Sequence, residues 1–260
     1  MSFVVLIYHM EDYIETAILV IVGFFAGVIN TLAGGGSLFT LPVLIFLGLP
    51  PNVANGTNRI AIVIQSLFGA IGYKSKGIST FPFNIYLGIS ASLGSVIGAQ
   101  IAIDLDGQMF NRILAIILIF IGILILVNAK NITHNLPERL TGKYLFFGIL
   151  GFFFIGIYGG FINAGIGIVI MLFLNRFNRL NLVKTNAAKT AIVFIYSAVA
   201  LSLFAYNDAV NWSLGLLMAI GTSFGAFWAS RWSVKKGDQT IRWAMLFTIG
   251  IMAVKLWFFE

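Results

Sequence analysis

Long apolar runs, broken at short intervals by a few charged or turn-forming residues, organise this chain from end to end. About ten runs emerge, at 14–33, 37–49, 54–73, 82–103, 110–129, 144–161, 165–176, 183–206, 211–231 and 239–258. A helix that crosses the hydrocarbon core needs about 20 predominantly apolar residues, and most of these runs supply them. The second and seventh are too short, and each follows a cluster of glycines. They read as halves of broken or re-entrant helix pairs, because irregular backbone at membrane depth is tolerated only where protein or a cavity surrounds it. The pattern predicts an all-α integral membrane protein.

Composition strengthens this reading. Hydrophobic residues make up 59% of the 260 and charged residues 10%; a soluble domain carries about 45–50% and about 25%. Too few polar residues exist to cover the surface of a soluble protein with one large core. The net charge of +7 does not indicate a nucleic-acid partner, because the basic residues stand singly or in pairs between apolar runs. The absence of cysteine excludes disulfides and thiolate metal sites. The start "MSFVVLIYHMEDYIE" carries Glu11, Asp12 and Glu15 in place of a basic signal region, so the first apolar run is expected to remain in the mature protein.

Charge in the breaks assigns a side to each run. Lys74 and Lys76 follow the third; Lys130, Arg139 and Lys143 the fifth; Arg176, Arg179 and Lys184 the seventh; Arg231, Lys235 and Lys236 the ninth. The other side receives Glu11, Asp12 and Glu15, then Asp104 and Asp106, then Asp208, then Glu260. By the positive-inside rule this predicts ten segments in an inner (plasma) membrane, with both termini on the non-cytoplasmic side. The chain also repeats itself. "GVINTLAGGG" from 27 aligns with "GFINAGIG" from 160, "RIAIV" from 59 with "KTAIV" from 189, and "LGSVIGA" from 93 with "IGTSFGA" from 220. The offsets drift from 133 through 130 to 127, as small loop deletions after a duplication would make them. Five segments per half is odd, so the halves insert with opposite orientation. The predicted units are 1–129, a cytoplasmic linker 130–143 and 144–260. Inverted repeats with interrupted helices are the architecture of secondary transporters, with substrate at the repeat interface.

Two constellations in these repeats carry the candidate chemistry. The first is the break "NTLAGGGS", with Asn30, Ala33, Gly34, Gly35, Gly36 and Ser37, matched by Asn163, Gly165 and Gly167. A helix that starts after such a break aims unpaired N–H groups and the positive end of its dipole into it, which suits an anion. Scattered glycines such as Gly94 and Gly98 read instead as helix-packing positions. No Lys-Ser or Lys-Thr follows the glycines as a phosphate-binding P-loop requires. The second constellation is Gly56, Thr57, Asn58 and Arg59 against Asn186 and Lys189. A cation within a membrane helix costs about 2.5–3.5 kcal/mol on insertion scales. One alone could snorkel to the headgroups, but a matched pair points to the interior and to an anion. No catalytic constellation, metal-ligand cluster or cofactor site is visible: His9 and His134 fall in the predicted tail and linker. Neither enzyme activity nor a cofactor is expected.

"GFFAGVINTLAGGGSLFTLPVLIFLGLPPNVANGTNRIA" closely resembles the first-repeat signature of the TauE/SafE (sulfite exporter) family of permeases. "GFFFIGIYGGFINAGIGIVIMLFL" followed by "TNAAKTA" is similar to its second. The resemblance implies an inner-membrane transporter of a small sulfur-containing anion such as sulfite or an organosulfonate. Its matching positions are Asn30 to Ser37, Gly56 to Arg59, Asn163 to Gly167 and Lys189, with Arg59 expected as the principal cation. The second half lacks a proline matching Pro42, so the half-sites are expected to differ. The alternative is an anion channel with the glycine turns lining a pore; exchange and saturation distinguish the two. The expected partners are the anion and the lipid bilayer, and the oligomeric state stays open.

Overall fold

The computed structural model describes residues 3–128 and 137–236. Among them are nine helices and no strand: α1 (Phe3–Ala33), α2 (Ser37–Phe46), α3 (Pro51–Lys74), α4 (Phe83–Asp104), α5 (Gly107–Asn128), α6 (Gly142–Phe161), α7 (Ile166–Arg176), α8 (Leu182–Tyr206) and α9 (Trp212–Lys236). The expectation of ten is corrected to nine for the described residues, because the run at 239–258 lies outside them, as does 130–136 of the linker. The first helix also starts at Phe3, well before the expected 14. Glu11, Asp12 and Glu15 do not interrupt it, since acidic residues are tolerated in a helix where Gly and Pro are not.

Local chemistry explains the boundaries. Pro51 opens α3 at the first helical position, where its missing N–H costs nothing. The Asp106 carboxylate accepts from the N–H groups of Gln108 and Met109 and so caps α5. Asn181 accepts from the Lys184 N–H at the start of α8, and Asn211 from the Leu214 N–H at the start of α9.

Among the described residues, five helices are long and apolar enough to cross a membrane: Thr16–Ala33 within α1, then α4, α6, α8 and α9. α3 has the length but is polar, with Asn55, Thr57, Asn58, Arg59, Gln65 and Ser66 all buried along it. Such a helix is stable only inside a bundle, which is where α3 packs, against α8 and α9. Small residues bring the flanking pairs into backbone contact. A Cβ on Gly27 of α1 would lie 2.2 Å from the Thr222 carbonyl oxygen of α9, and one on Gly160 of α6 would lie 2.2 Å from the Ser95 oxygen of α4. Contacts advance together along each pair (Val20 with Gly221, Phe24 with Gly225; Ala91 with Gly156, Ser95 with Gly160), so α1 runs parallel to α9 and α4 to α6. α3 and α8 are antiparallel, with Gly56 beside Phe204 and Gly69 beside Thr190. This central pair carries the two buried cations.

Candidate functional site

The two helix breaks meet in the interior. α1 ends at Ala33, and Gly34 turns the chain with φ of 79°, its N–H reaching back to the Asn30 carbonyl at 3.0 Å. That left-handed cap is strained for any residue with a side chain. Across from it α6 ends at Phe161, and Gly165 with φ of 72° leads into α7. A Cβ on Gly34 would lie 2.4 Å from the Gly167 carbonyl carbon, and one on Gly167 would lie 2.5 Å from the Gly34 Cα. Gly36 is equally confined, with the Ala26 oxygen 2.1 Å from where its Cβ would be. Ser37 ties the breaks together: its Oγ donates to the Asn163 carbonyl at 2.8 Å and accepts from the Gly165 N–H at 3.3 Å. The Asn163 side chain is fixed by Tyr196, whose hydroxyl donates to Oδ1 at 2.6 Å.

The cations serve the ends of these broken helices. A helix leaves its last four carbonyls unpaired, at the negative end of its dipole. Lys189 is 3% exposed, and its Nζ donates to the carbonyls of Asn30 (2.8 Å) and Thr31 (3.0 Å), with Met171 Sδ at 3.7 Å. Asn186 donates to the next carbonyl, Leu32, at 2.9 Å. Both belong to α8, so α8 caps α1. In the same way α3 caps α6: Arg59 Nη2 donates to the Gly160 carbonyl and Asn55 Nδ2 to that of Phe161 at 2.8 Å. Arg59 is 0% exposed and lies 4.8 Å from the Phe204 ring centroid, and its Nε and Nη1 have no hydrogen-bond partner among the described residues.

Between the breaks lies a small cavity of about 10 Å³, room for about one water molecule. Asn30 and Thr31 face it from the first break, Asn163, Ile166 and Gly167 from the second. Gln65 and Ser66 of α3 and Lys189, Thr190 and Val193 of α8 complete the wall. Ile166 and Gly167 open α7, so N–H groups without helical acceptors lie at this wall. Amides, hydroxyls, a helix N-terminus and one ammonium line the space; no acid among the described residues does.

A model of the family described as "Sulfite exporter TauE/SafE" matches residues 19–256. The chain belongs to that family. It is a multi-pass membrane protein of the TauE/SafE group, and its relatives carry transporter names. A "Probable membrane transporter protein" of Haemophilus influenzae is 30% identical over 92% of this chain and 93% of its own length. The "Probable membrane transporter protein ORF9" of a Sinorhizobium species is 28% identical, covering 92% and 91%. The "Probable membrane transporter protein YfcA" of Escherichia coli K12 is 28% identical, covering 92% and 88%. No solved structure matches the chain.

Of the TauE/SafE positions singled out from the sequence, the structure brings Asn30, Asn163, Gly167 and Lys189 to the cavity. Gly34, Gly36, Ser37 and Gly165 build the junction beside it, and Ala33 and Gly35 belong to the same turn. Arg59 and Asn186 cap helix ends away from the wall. Asn58 is buried with its Oδ1 unpartnered among the described residues, Thr57 accepts from the Asn211 N–H at 2.8 Å, and Gly56 packs against the Ala209 carbonyl. Thr31, within the anticipated stretch Asn30 to Ser37, also lines the cavity, and Gln65, Ser66 and Thr190 line it without having been anticipated. The available signal was polarity within apolar runs, since Gln65 and Ser66 interrupt "RIAIVIQSLFG" within two turns of Arg59.

Proposed function

We propose that the protein is a secondary carrier for a small sulfur-containing anion, such as sulfite or a short organosulfonate, and that the anion binds at the junction of the two breaks. The observation that carries this reading is the cavity wall, where an ammonium and a helix N-terminus meet with no carboxylate among the described residues. Both favour an anion, and the amides and hydroxyls beside them supply donors for its oxygens. The sulfur chemistry follows from membership of the sulfite exporter family.

In this reading the chain is two inverted repeats, 1–129 and 144–260, joined by the linker 130–143. The contact map supports it. The pair Gly27–Thr222 reappears as Gly160–Ser95, at the offsets of 133 and 127 that relate the matching sequences. The α1–α9 pair thus corresponds to α6–α4, and α3–α8 to itself. Each repeat holds the other's broken helix by a cation and an amide: Lys189 with Asn186, and Arg59 with Asn55. Lys189 is the first cation the anion meets in this closed arrangement, and Arg59 is its counterpart for the opposite opening. Transport then proceeds as one repeat rocks against the other, with the anion competing against helix carbonyls for the cations. A space for one water is an occluded site and favours a carrier over an open pore. The repeats are inserted in the inner membrane with both termini on the non-cytoplasmic side.

The test uses purified protein in proteoliposomes. Sulfite and small sulfonates should produce saturable flux, and excess unlabelled anion on the far side should accelerate it. Flux that rises linearly without exchange would replace the carrier with a pore. Flux of cations alone would remove the anion reading altogether.

A further inference from the structure

We propose that the outer groove between α3 and α9 is a binding site for an anionic phospholipid, with the phosphate at its basic end and an acyl chain along its apolar length. The two helices run parallel, as Ala61 beside Thr222, Gly72 beside Ser230 and Tyr73 beside Ser233 establish. Their basic ends are therefore level, and Lys76 comes beside Arg231 and Lys235.

These three cations rim a groove of about 510 Å³ walled by Phe224, Trp228 and Trp232; no acidic side chain among the described residues lines it. Trp228 and Trp232 stack with centroids 5.4 Å apart and planes at 12°, and Arg231 lies 5.2 Å from the Phe227 ring centroid. Stacked indoles beside cations mark the depth at which a bilayer changes from acyl chain to headgroup. Basic pockets between membrane helices on one face accept phosphate headgroups.

A second groove continues from the first. It has a volume of about 520 Å³, shares Phe224 and Phe227, and runs on past Ile220 to Leu216 with an entirely apolar exposed lining. From Leu216 to Phe227 the helix rises about 16 Å at about 1.5 Å per residue, which matches one leaflet of a hydrocarbon core about 30 Å thick. Apolar track and cationic rim thus follow each other along α9 in the order of tail and headgroup. A soluble anion would use the rim alone; an amphiphile uses both. The assignment does not depend on which solute the protein carries.

The experiment is native mass spectrometry of the full-length protein released from a non-ionic detergent after incubation with phosphatidylglycerol, phosphatidylcholine or inorganic phosphate. Retention of phosphatidylglycerol well above phosphatidylcholine is expected, with no adduct from phosphate alone. Charge removal by K76Q, R231Q and K235Q should reduce that preference about fivefold per cation. R176Q with R179Q, which changes equally basic positions elsewhere, should leave it intact. Trp228→Ala should weaken retention of both lipids and keep their ratio. Equal retention of the two lipids by the unmodified protein, or an unchanged preference in the triple variant, would overturn the proposal. So would loss of the preference in the R176Q/R179Q control, or a phosphate adduct that competes with the lipid. Far-ultraviolet circular dichroism of each variant shows that the helices persist.

Discussion

Replacing Lys189 by methionine is the most direct probe of the junction. Methionine keeps the unbranched stem and removes the ammonium, so the bonds to the Asn30 and Thr31 carbonyls and the contact with Met171 Sδ vanish together. The effect on stability has two opposing parts. The Asn30 carbonyl keeps the Gly34 N–H, so the loss falls on the Thr31 carbonyl and costs about 1–3 kcal/mol, but an ammonium no longer has to be desolvated, which returns several kcal/mol. Lys189→Met should therefore fold, with a melting temperature near that of the unmodified protein. The effect on an anion is one-sided. A unit charge about 4 Å from an ammonium gains about 4 kcal/mol at an effective dielectric constant near 20, so its loss should raise Kd about a thousandfold. Lys189→Arg should restore part of the affinity, since it keeps the charge but presents a planar fork in place of a compact point charge. The assay is thermal shift in detergent against sulfite, thiosulfate, sulfate, sulfoacetate and taurine, followed by isothermal titration with whichever anion stabilises. If Lys189→Met binds that anion within a factor of three of the unmodified protein, Lys189 is only a helix cap and the cavity is not the anion site.

Other perturbations test the frame around it. Gly34→Ala should destabilise by about 1–2 kcal/mol from its left-handed backbone and about 1–3 kcal/mol more from collision with Gly167; Gly48→Ala, at φ of 86° with nothing within 4 Å of the added carbon, should show only the first part by thermal unfolding. Ser37→Ala removes the bridge to Asn163 and Gly165 and should cost about 1–3 kcal/mol, and its flux should fall if the junction must stay intact through the cycle; normal flux at equal stability would contradict that role. Arg59→Met should impair flux at least as strongly as it impairs binding, since it lies off the cavity wall, and an effect on binding alone would place substrate at Arg59 instead. The chain has no cysteine, so single Ser79→Cys and Gln108→Cys variants report sidedness by labelling with a membrane-impermeant maleimide. Gln108→Cys should react from outside intact cells and Ser79→Cys should not; the reverse would invert the topology.

The helices were legible because glycine, proline and charge punctuate the chain where the backbone turns, and both short helices were recognised by their glycine clusters. What the glycines face was not legible. Gly34 and Gly36 look from the sequence like a route for a ligand to the backbone, whereas in the fold Gly167 and Ala26 occupy that space. Steric neighbours from the opposite half leave no trace in a local pattern. The inequality of the two cations was half visible. From Asn30 to Arg59 the chain runs 29 residues, and from Asn163 to Lys189 it runs 26, so one half is shorter by about a helical turn. That difference reappears in the bonds: Lys189 grips Asn30 and Thr31 at the break itself, while Arg59 grips Gly160, three residues before Asn163. Arg59 is thus drawn one turn back along α6 and away from the cavity, and Lys189 is left facing it. Alignment matches the positions of Arg59 and Lys189, whereas reach along a helix decides which of the two faces the cavity.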